Sequence, residues 1–138
     1  MFLHASCVAI GSKAVLLCGA SGAGKSDLAL RLIDGGAQLV SDDQTMLRCE
    51  GGVLFASPPP SIEGMIEIRH IGLVKMPFVS SVPVALMIEL AGDDALLERL
   101  PEPDCVFLLD HSVQRLRLSA FAASTPAKIR AAVAYMLT

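Results

Sequence analysis

A glycine-rich segment near the start of the chain has the residue types that bind a phosphate group. The pattern G-x-x-x-x-G-K-[ST] is matched by Gly19-Ala20-Ser21-Gly22-Ala23-Gly24-Lys25-Ser26. Its glycines let several backbone N–H groups point at one anion, and the positive end of the helix that follows adds to the attraction. Lys25 can place a cation on the β- and γ-phosphates, and the Ser26 hydroxyl can bind Mg²⁺. The segment therefore predicts a site for a nucleotide or a phosphate.

Two adjacent carboxylates, Asp42 and Asp43, follow the next predicted strand. In open α/β sheets, ligands bind outside the carboxyl ends of the strands. Because the glycine-rich segment leaves a strand at the same edge, we expect at least one of the two carboxylates to face the phosphates. One can accept the proton of an attacking hydroxyl, and the other can hold Mg²⁺ directly or through water. The alternative is an ordinary solvent-exposed turn.

A second carboxylate-bearing segment lies further along the chain. Glu67 and Arg69 alternate with isoleucines and therefore share one face of an extended segment. They can serve a metal ion and a phosphate, or they can form an ordinary exposed cross-strand pair, and the pattern leaves both readings open. The three histidines, His4, His70 and His111, are isolated in sequence, and spacing alone assigns none of them to a site.

Apolar periodicity predicts the elements that must position these residues. Residues 14–18 form a short apolar run that ends in a glycine, which is typical of a buried strand. From Ser26 the apolar residues recur at helical spacing, and Gly35 and Gly36 stop the predicted helix. Residues 37–41 predict a second strand. Residues 14–41 are therefore expected to form a βαβ unit.

The remainder of the chain predicts mostly strands. A hairpin is expected over 45–49 and 53–56, extended chain around 66–71, and strands over 84–90 and 106–109. Proline-containing loops are expected at 58–60 and 77–83. Residues 94–100 predict a helix that ends at Pro101. A final helix opens at Thr125-Pro126, because proline is favoured at the first helical position.

Composition excludes several classes of function. The 138 residues suffice for one domain, 1–138, and the 53% of hydrophobic residues can supply its core. A net charge of −3 gives no basic surface for nucleic acid or an acidic membrane. No uncharged apolar run approaches the roughly 18 residues that cross a bilayer, and no signal peptide is evident. The four cysteines are scattered. We therefore expect a cytoplasmic protein without disulfides.

Taken in order, these motifs resemble the C-terminal catalytic domain of the HPr kinase/phosphorylase family. The resembling stretch begins at His4 and passes through the glycine-rich segment and Leu39-Val40-Ser41-Asp42-Asp43. It ends with Ile66-Glu67-Ile68-Arg69-His70-Ile71-Gly72. The resemblance implies a P-loop-containing mixed sheet flanked by helices, which is the phosphoenolpyruvate carboxykinase-like kinase fold. It also looks like a short form of the family, without the N-terminal domain of longer relatives.

The resemblance also implies roles for individual residues. Asp42 would be the proton acceptor and donor, and Lys25, His4 and Arg69 would complete the catalytic set. The metal ligands would be Ser26, Asp43 and Glu67. ATP and Mg²⁺ would be the cofactors. The γ-phosphoryl group would go to a serine of HPr, the phosphocarrier protein of the sugar phosphotransferase system. The reverse-type activity would use inorganic phosphate, and the family implies a homo-oligomer, a hexamer.

The sequence departs from the family pattern at two places. His70 stands where the family has glycine, and we expect it to adopt a negative φ with its ring toward solvent. The arginine-bearing loop near the C-terminal helix is not found, although Lys128 and Arg130 lie nearby. Two alternatives therefore stay open. One is a small-molecule kinase with a short lid over 93–103, and the other is a nucleotide-binding regulator without transfer activity.

Overall fold

Short apolar runs place most of the chain in β-strands. A computed structural model describes residues 1–137, apart from the side chain of residue 94. Within them the strands are β1 (Phe2–Leu3), β2 (Ala5–Ile10), β3 (Lys13–Cys18), β4 (Gln38–Ser41), β5 (Thr45–Glu50), β6 (Val53–Ser57), β7 (Met65–Ile68), β8 (Gly72–Lys75), β9 (Val82–Ala91), β10 (Cys105–Leu108) and β11 (His111–Ser119). The helices are α1 (Lys25–Asp34) and α2 (Thr125–Ala131), and α2 continues as a π-helical turn over Ala132–Met136.

Nine of the strands form one mixed sheet. Seven lie side by side in the order β1, β5, β6, β9, β3, β2, β4, and β10 and β11 branch from β9. Both β3 and β11 run parallel to β9. β6 pairs antiparallel with the first residues of β9. β7 and β8 form a separate two-stranded sheet. The predicted mixed sheet with flanking helices is thereby confirmed.

The path β3–α1–β4 confirms the predicted βαβ unit, with one difference. β2 lies between β3 and β4 and runs antiparallel to both of them. The sequence pattern did not predict this strand. Because β2 opposes each neighbour, β3 and β4 remain parallel to one another, and their carboxyl ends lie at one edge of the sheet. The glycine-rich segment leaves that edge after β3, and the aspartate pair leaves it after β4.

The two faces of the sheet carry two apolar clusters. On one face, Leu28 of α1 and Ile129 of α2 pack against strand residues such as Val15 and Ile88. On the other face a second cluster contains residues that alternate with these, including Leu16 and Met87, together with residues of β5, β6, β10 and β11. Successive strand residues point to opposite faces. The continuous apolar run in β3 therefore reflects a sheet that is covered on both sides.

The C-terminal end of α1 is fixed by α2. Gly36 has φ +112°, and the N–H of Ala37 donates to the carbonyl of Leu32 at 3.0 Å, which closes the helix end. The Arg130 guanidinium donates to the carbonyls of Arg31 and Leu32 at 3.4 and 3.2 Å. A cation at the carboxyl end of a helix also opposes the negative end of the helix dipole. Arg130 therefore stabilises α1.

Two predicted elements need correction, and one strand was not predicted. The helix over 94–100 is wrong, because the segment holds only a 3₁₀ turn at Asp94–Leu96. Leu96 and Leu100 are 83% and 86% exposed, so the segment buries no apolar face that could stabilise a helix. The loop over 77–83 ends earlier, since Val82 and Pro83 belong to β9. β11 was not predicted at all, although its central arginines and leucines alternate as in a half-buried strand.

Other expectations are confirmed. The β5–β6 hairpin turns through Gly51 and Gly52, with φ of +58° and +78°, which a two-residue hairpin turn of the mirror-image type requires. The last helix begins at Thr125 with Pro126 in its first turn. Within residues 1–137, neither helix is long and apolar enough to cross a bilayer.

The docking of α1 onto the sheet gives a stability prediction. Leu28 is fully buried in the cluster between α1 and the sheet. Leu28→Ala should lower the free energy of unfolding by about 2–5 kcal/mol, because it leaves a cavity beneath the helix. The matched control is Leu96→Ala, at an exposed leucine, which should change it by less than about 0.5 kcal/mol. Urea denaturation measures both, and equal losses would contradict the burial assigned to Leu28.

Candidate active site

The glycine-rich segment connects β3 to α1. We call this segment the phosphate loop. Gly22 and Gly24 have φ of +81° and +99°, values that residues with a side chain rarely adopt. A Cβ atom on Gly24 would also lie 2.8 Å from Cζ of Phe121. Glycine is therefore required at this position both by the backbone and by the close approach of Phe121.

The start of α1 offers free N–H groups to an anion. The helix begins after Gly24, which supplies no side-chain cap. The first intrahelical bond runs from the N–H of Leu28 to the carbonyl of Gly24 at 2.9 Å. The N–H groups of the preceding residues in the first turn have no intrahelical acceptor. They are therefore oriented toward any phosphate that enters the loop.

Lys25 is held by the phosphate loop itself. Its ammonium group donates to the carbonyls of Gly19 and Ala20 at 2.9 and 3.0 Å, and the residue is only 6% exposed. An ammonium group has three donors, so one remains for a ligand. The cation predicted from the motif thus lies at the loop, in a fixed position that bridges the loop's own carbonyls.

Asp42 is the hydrogen-bonded centre of the site. Its Oδ1 accepts from the hydroxyl of Ser26 at 2.6 Å and from the hydroxyl of Ser6 at 2.9 Å. Its Oδ2 accepts from the backbone N–H of Glu67 at 3.0 Å, and the residue is 7% exposed. A single buried carboxylate therefore joins α1, β2 and β7 at the carboxyl end of β4.

Ser6 belongs to this network and was missed from the sequence. Besides donating to Asp42, its hydroxyl accepts from the backbone N–H of Asp43 at 3.1 Å. The signal that was available is weak: Ser6 is two residues from His4, so the two share a face of an extended segment. Ser6 is fully buried, and its strand, β2, could not be inferred from apolar periodicity.

Asp43 and His4 form an exposed pair beside Asp42. His4 Nε2 lies 3.5 Å from Asp43 Oδ1, and both side chains are more than half exposed. Asp43 has φ +66°, which turns its side chain away from the path of β4. The structure therefore brings together His4, Asp42 and Asp43, although spacing alone did not assign His4 to a site.

Glu67 and Arg69 lie on the same side of the site as the phosphate loop. Both line a cavity of about 610 Å³ between the loop, the start of α1 and the turn that joins β7 to β8. The lining is completed by Ser21, Gly22, Gly24, Lys25, Ser26, Asp27, Leu30, Asp43, Ile68, His70 and Phe121. Of the two readings left open by the sequence, the placement favours a functional pair. Phe121, which follows β11, is a wall of this cavity that the sequence did not reveal.

The expectation for His70 is wrong. Its φ is +72°, a left-handed conformation, and not the negative value predicted. The residue is exposed and also lines the cavity across from the phosphate loop. His70 therefore occupies a backbone position suited to glycine while presenting a side chain at the cavity.

Two groups outside the cavity, Cys18 and Arg130, have a definite state. Burial and the neighbouring Glu89 raise the pKa of Cys18, at the end of β3, to about 11, so its thiol stays neutral at pH 7. Arg130 is committed to the carbonyls of α1, as described above. Among residues 1–137, no group of three or more histidine, cysteine, aspartate or glutamate side chains is clustered tightly enough to form a ready-made metal site.

These features define a class of protein: an α/β domain whose mixed sheet carries a phosphate loop between a central strand and a helix. More particularly, the chain belongs to the family of the HPr serine kinase C-terminal domain, whose model matches residues 1–124. The family resemblance drawn from the motifs is thus confirmed.

Individual relatives agree with this assignment. The chain is 40% identical over 72 residues to an HPr kinase/phosphorylase of Clostridium botulinum (strain Eklund 17B / Type B). The matched segment covers 52% of this chain and 24% of that protein. It is 32% identical over 108 residues to an HPr kinase/phosphorylase of Brevibacillus brevis, over 71% and 35% of the two chains. The chain thus spans only about a quarter of the length of the first of these relatives.

A solved structure extends the similarity to the whole fold. The HPr(Ser) kinase/phosphatase from Coxiella burnetii superposes with a TM-score of 0.87 at 28% sequence identity. The match covers 99% of this chain and 90% of that one. The predicted fold class is thereby confirmed, including the part of the chain after Gly72 that carried no motif.

The left-handed conformation of His70 gives a stability prediction. A left-handed conformation costs a non-glycine residue about 1–2 kcal/mol, and glycine would remove this strain. Glycine also gives the unfolded chain more freedom, which offsets about 0.4–1 kcal/mol of that gain. His70→Gly should therefore raise the free energy of unfolding by about 0.5–1 kcal/mol. The control, His70→Ala, removes the ring but keeps the strain and should give no gain. A loss of stability in His70→Gly would show that the ring itself holds the turn.

Proposed function

We propose that this chain is an ATP- and Mg²⁺-dependent protein serine kinase that acts on HPr, the phosphocarrier protein of the sugar phosphotransferase system. The observation that carries the proposal is the 2.6 Å hydrogen bond between Ser26 of the phosphate loop and the buried carboxylate of Asp42. It places an acid–base group directly beside the loop that would hold a transferable phosphoryl group. The names of the relatives supply the phosphoryl acceptor.

The phosphates would bind to the phosphate loop and the start of α1. The free N–H groups of the first turn and the third donor of Lys25 converge on this space. Arg69, across the cavity, offers a planar guanidinium that matches phosphate geometry. Catalysis of phosphoryl transfer is almost entirely positioning and charge stabilisation, and these groups provide both.

The residues at the site fit a magnesium ion. Mg²⁺ prefers hard oxygen donors, and the hydroxyl of Ser26 and the carboxylates of Asp43 and Glu67 all line the cavity. Bound Mg²⁺ would neutralise charge on the transferred phosphoryl group. The Ser26 hydroxyl points its proton at Asp42, so its oxygen lone pairs are free to face a cation.

Asp42 is the proposed proton acceptor. A carboxylate has about four acceptor positions, and three on Asp42 are occupied by Ser26, Ser6 and the N–H of Glu67. The remaining position can take the proton of an incoming serine hydroxyl, and in the reverse direction Asp42 would return it. The exposed pair of Asp43 and His4, next to Asp42, would orient the acceptor.

The reverse reaction belongs to the same proposal. Inorganic phosphate would remove the phosphoryl group from HPr at the same loop, and its product would be pyrophosphate. The names of the matched relatives include this activity. Arg130 is excluded as a helper, because its guanidinium lies at the far end of α1 on the carbonyls of Arg31 and Leu32.

The two alternatives lead to different observations. A small-molecule kinase needs a lid, yet the cavity lining given above includes no residue of 93–103. A regulator without transfer activity would still bind a nucleotide. His70 lines the cavity at a position where the family has glycine, and this departure favours the regulator over the small-molecule kinase. Transfer of label from γ-labelled ATP to purified HPr separates the proposed kinase from both alternatives, because the regulator and the small-molecule kinase each leave HPr unlabelled.

A homo-oligomer is also proposed. Large apolar side chains stay exposed on the single chain, among them Ile71, Leu73, Phe107 and Tyr135, at 74%, 70%, 69% and 88%. Side chains such as these would be available for contact with other copies of the chain. Sedimentation velocity measures the assembly, with the hexamer as the expected species.

Two variants test the proposed mechanism. Lys25→Ala should weaken ATP binding and abolish transfer, because the loop loses its cation. Asp42→Asn should bind ATP within a few-fold of the parent but lower the transfer rate by about 10²–10⁴, because the proton acceptor is lost. The matched controls are Lys128→Ala and Asp34→Asn, at exposed positions outside the cavity. Normal transfer by Asp42→Asn would assign the proton to another group, and normal binding by Lys25→Ala would reject the phosphate loop.

A further inference from the structure

An exposed cysteine and a half-buried histidine meet on the surface away from the phosphate loop. Cys49, in β5, has its Sγ 3.0 Å from Nδ1 and 3.6 Å from Nε2 of His111, at the start of β11. Neither residue lines the cavity described above. The proposed phosphoryl transfer uses neither of them.

The backbone around His111 selects its charged form. Nε2 lies 2.8 Å from the carbonyl of Gly52, and Nδ1 lies 3.2 Å from the carbonyl of Leu109. A neutral imidazole has one N–H and one lone pair, so it can donate to only one of these carbonyls. The imidazolium donates to both. The pKa of His111 is accordingly raised, chiefly by the carbonyl of Gly52 and then by that of Leu109, with the charge of Asp110 adding to the effect.

The turn that presents His111 is strained. Leu109 and Asp110 connect β10 to β11 with φ of +48° and +63°. A two-residue turn of this kind needs positive φ at both positions and is normally made by asparagine and glycine. A leucine in this conformation is an outlier, and such outliers cluster at functional sites. The strained turn brings the Leu109 carbonyl and the imidazole ring together beside Cys49.

We propose that Cys49 is a nucleophilic thiol open to covalent modification and that the imidazolium of His111 beside it promotes its reaction. A neighbouring imidazolium stabilises a thiolate, and the thiolate is the nucleophile. The reagents it suits are soft electrophiles and small disulfides such as oxidised glutathione. With a disulfide, the sulfur of Cys49 attacks one sulfur, a mixed disulfide forms, and the old S–S bond breaks. The second sulfur leaves as a thiolate, and the proton lost by Cys49 passes to the solvent, because His111 already carries both of its ring protons.

The other cysteines of the chain provide internal controls. Cys105 is also exposed, and a neighbouring cation, Arg115, is already paired with Asp104 at 2.8 Å and with Glu89 at 3.6 Å. Cys7 is fully buried, which raises the pKa of its thiol. Cys7 should therefore react only when the protein unfolds, and it reports folding in every variant.

The experiment measures alkylation of each cysteine in the same molecules. The protein is treated with iodoacetamide at about pH 6.5, two units below the usual pKa of a thiol, and modified peptides are quantified by mass spectrometry over time. Cys49 should react at least about tenfold faster than Cys105. Oxidised glutathione, applied in parallel, should place its mixed disulfide on Cys49 first. Equal rates at the two cysteines would overturn the proposal.

A variant assigns the effect to the histidine. His111→Gln keeps a donor for one carbonyl but cannot carry the charge, so the rate at Cys49 should fall about tenfold while that at Cys105 is unchanged. An unchanged rate at Cys49 would overturn the role of His111. If labelling of Cys7 shows that this variant unfolds, the decision rests on the ratio of Cys49 to Cys105 in the unmodified chain.

Discussion

The site depends on the buried charge of Asp42. Removing a carboxylate from water costs several kcal/mol unless donors replace the water, and hydrogen bonds to a charged group contribute about 1.5–3 kcal/mol each. The donors to Asp42 come from Ser26, Ser6 and the N–H of Glu67, which belong to three different elements. Each element must therefore be in its place before the charge is tolerated. The requirement couples the architecture of the domain to the geometry of the site.

The order of the strands follows the same requirement. Ser6 reaches Asp42 because β2 lies between β3 and β4, and Ser26 reaches it because α1 returns over the sheet to bring the phosphate loop beside the end of β4. A simple βαβ unit with adjacent strands would leave no neighbour from which a buried hydroxyl could donate. The inserted antiparallel strand thus supplies a donor, and that donor holds the backbone of Asp43 as well.

The parts of this site that could be predicted from sequence are those fixed by local geometry. The phosphate loop, the helix after it and the aspartates after β4 depend on residues close together in the chain, and their patterns were sufficient. Ser6 and Phe121 were missed because they reach the site only through strand pairing and packing between distant segments. β11 was missed although its arginines and leucines alternate as in a half-buried strand, and it pairs in parallel with β9. The conformation of His70 was predicted wrongly because the tight turn between β7 and β8 overrides the usual steric preference for negative φ.

Lys25 and Ser26 also show that the groups of the phosphate loop are bonded within the chain itself. The ammonium group of Lys25 spends two donors on Gly19 and Ala20, so a phosphate must share the third donor or exchange for one of these bonds. The hydroxyl of Ser26 needs no such exchange, because its proton can stay on Asp42 while its oxygen faces a cation. Binding at Lys25 therefore contributes only the difference between two sets of charge-assisted hydrogen bonds. The free energy gained at Lys25 is largest when the charge on the phosphoryl group is greatest. Lys25 therefore stabilises the group during transfer more than it stabilises the bound ground state.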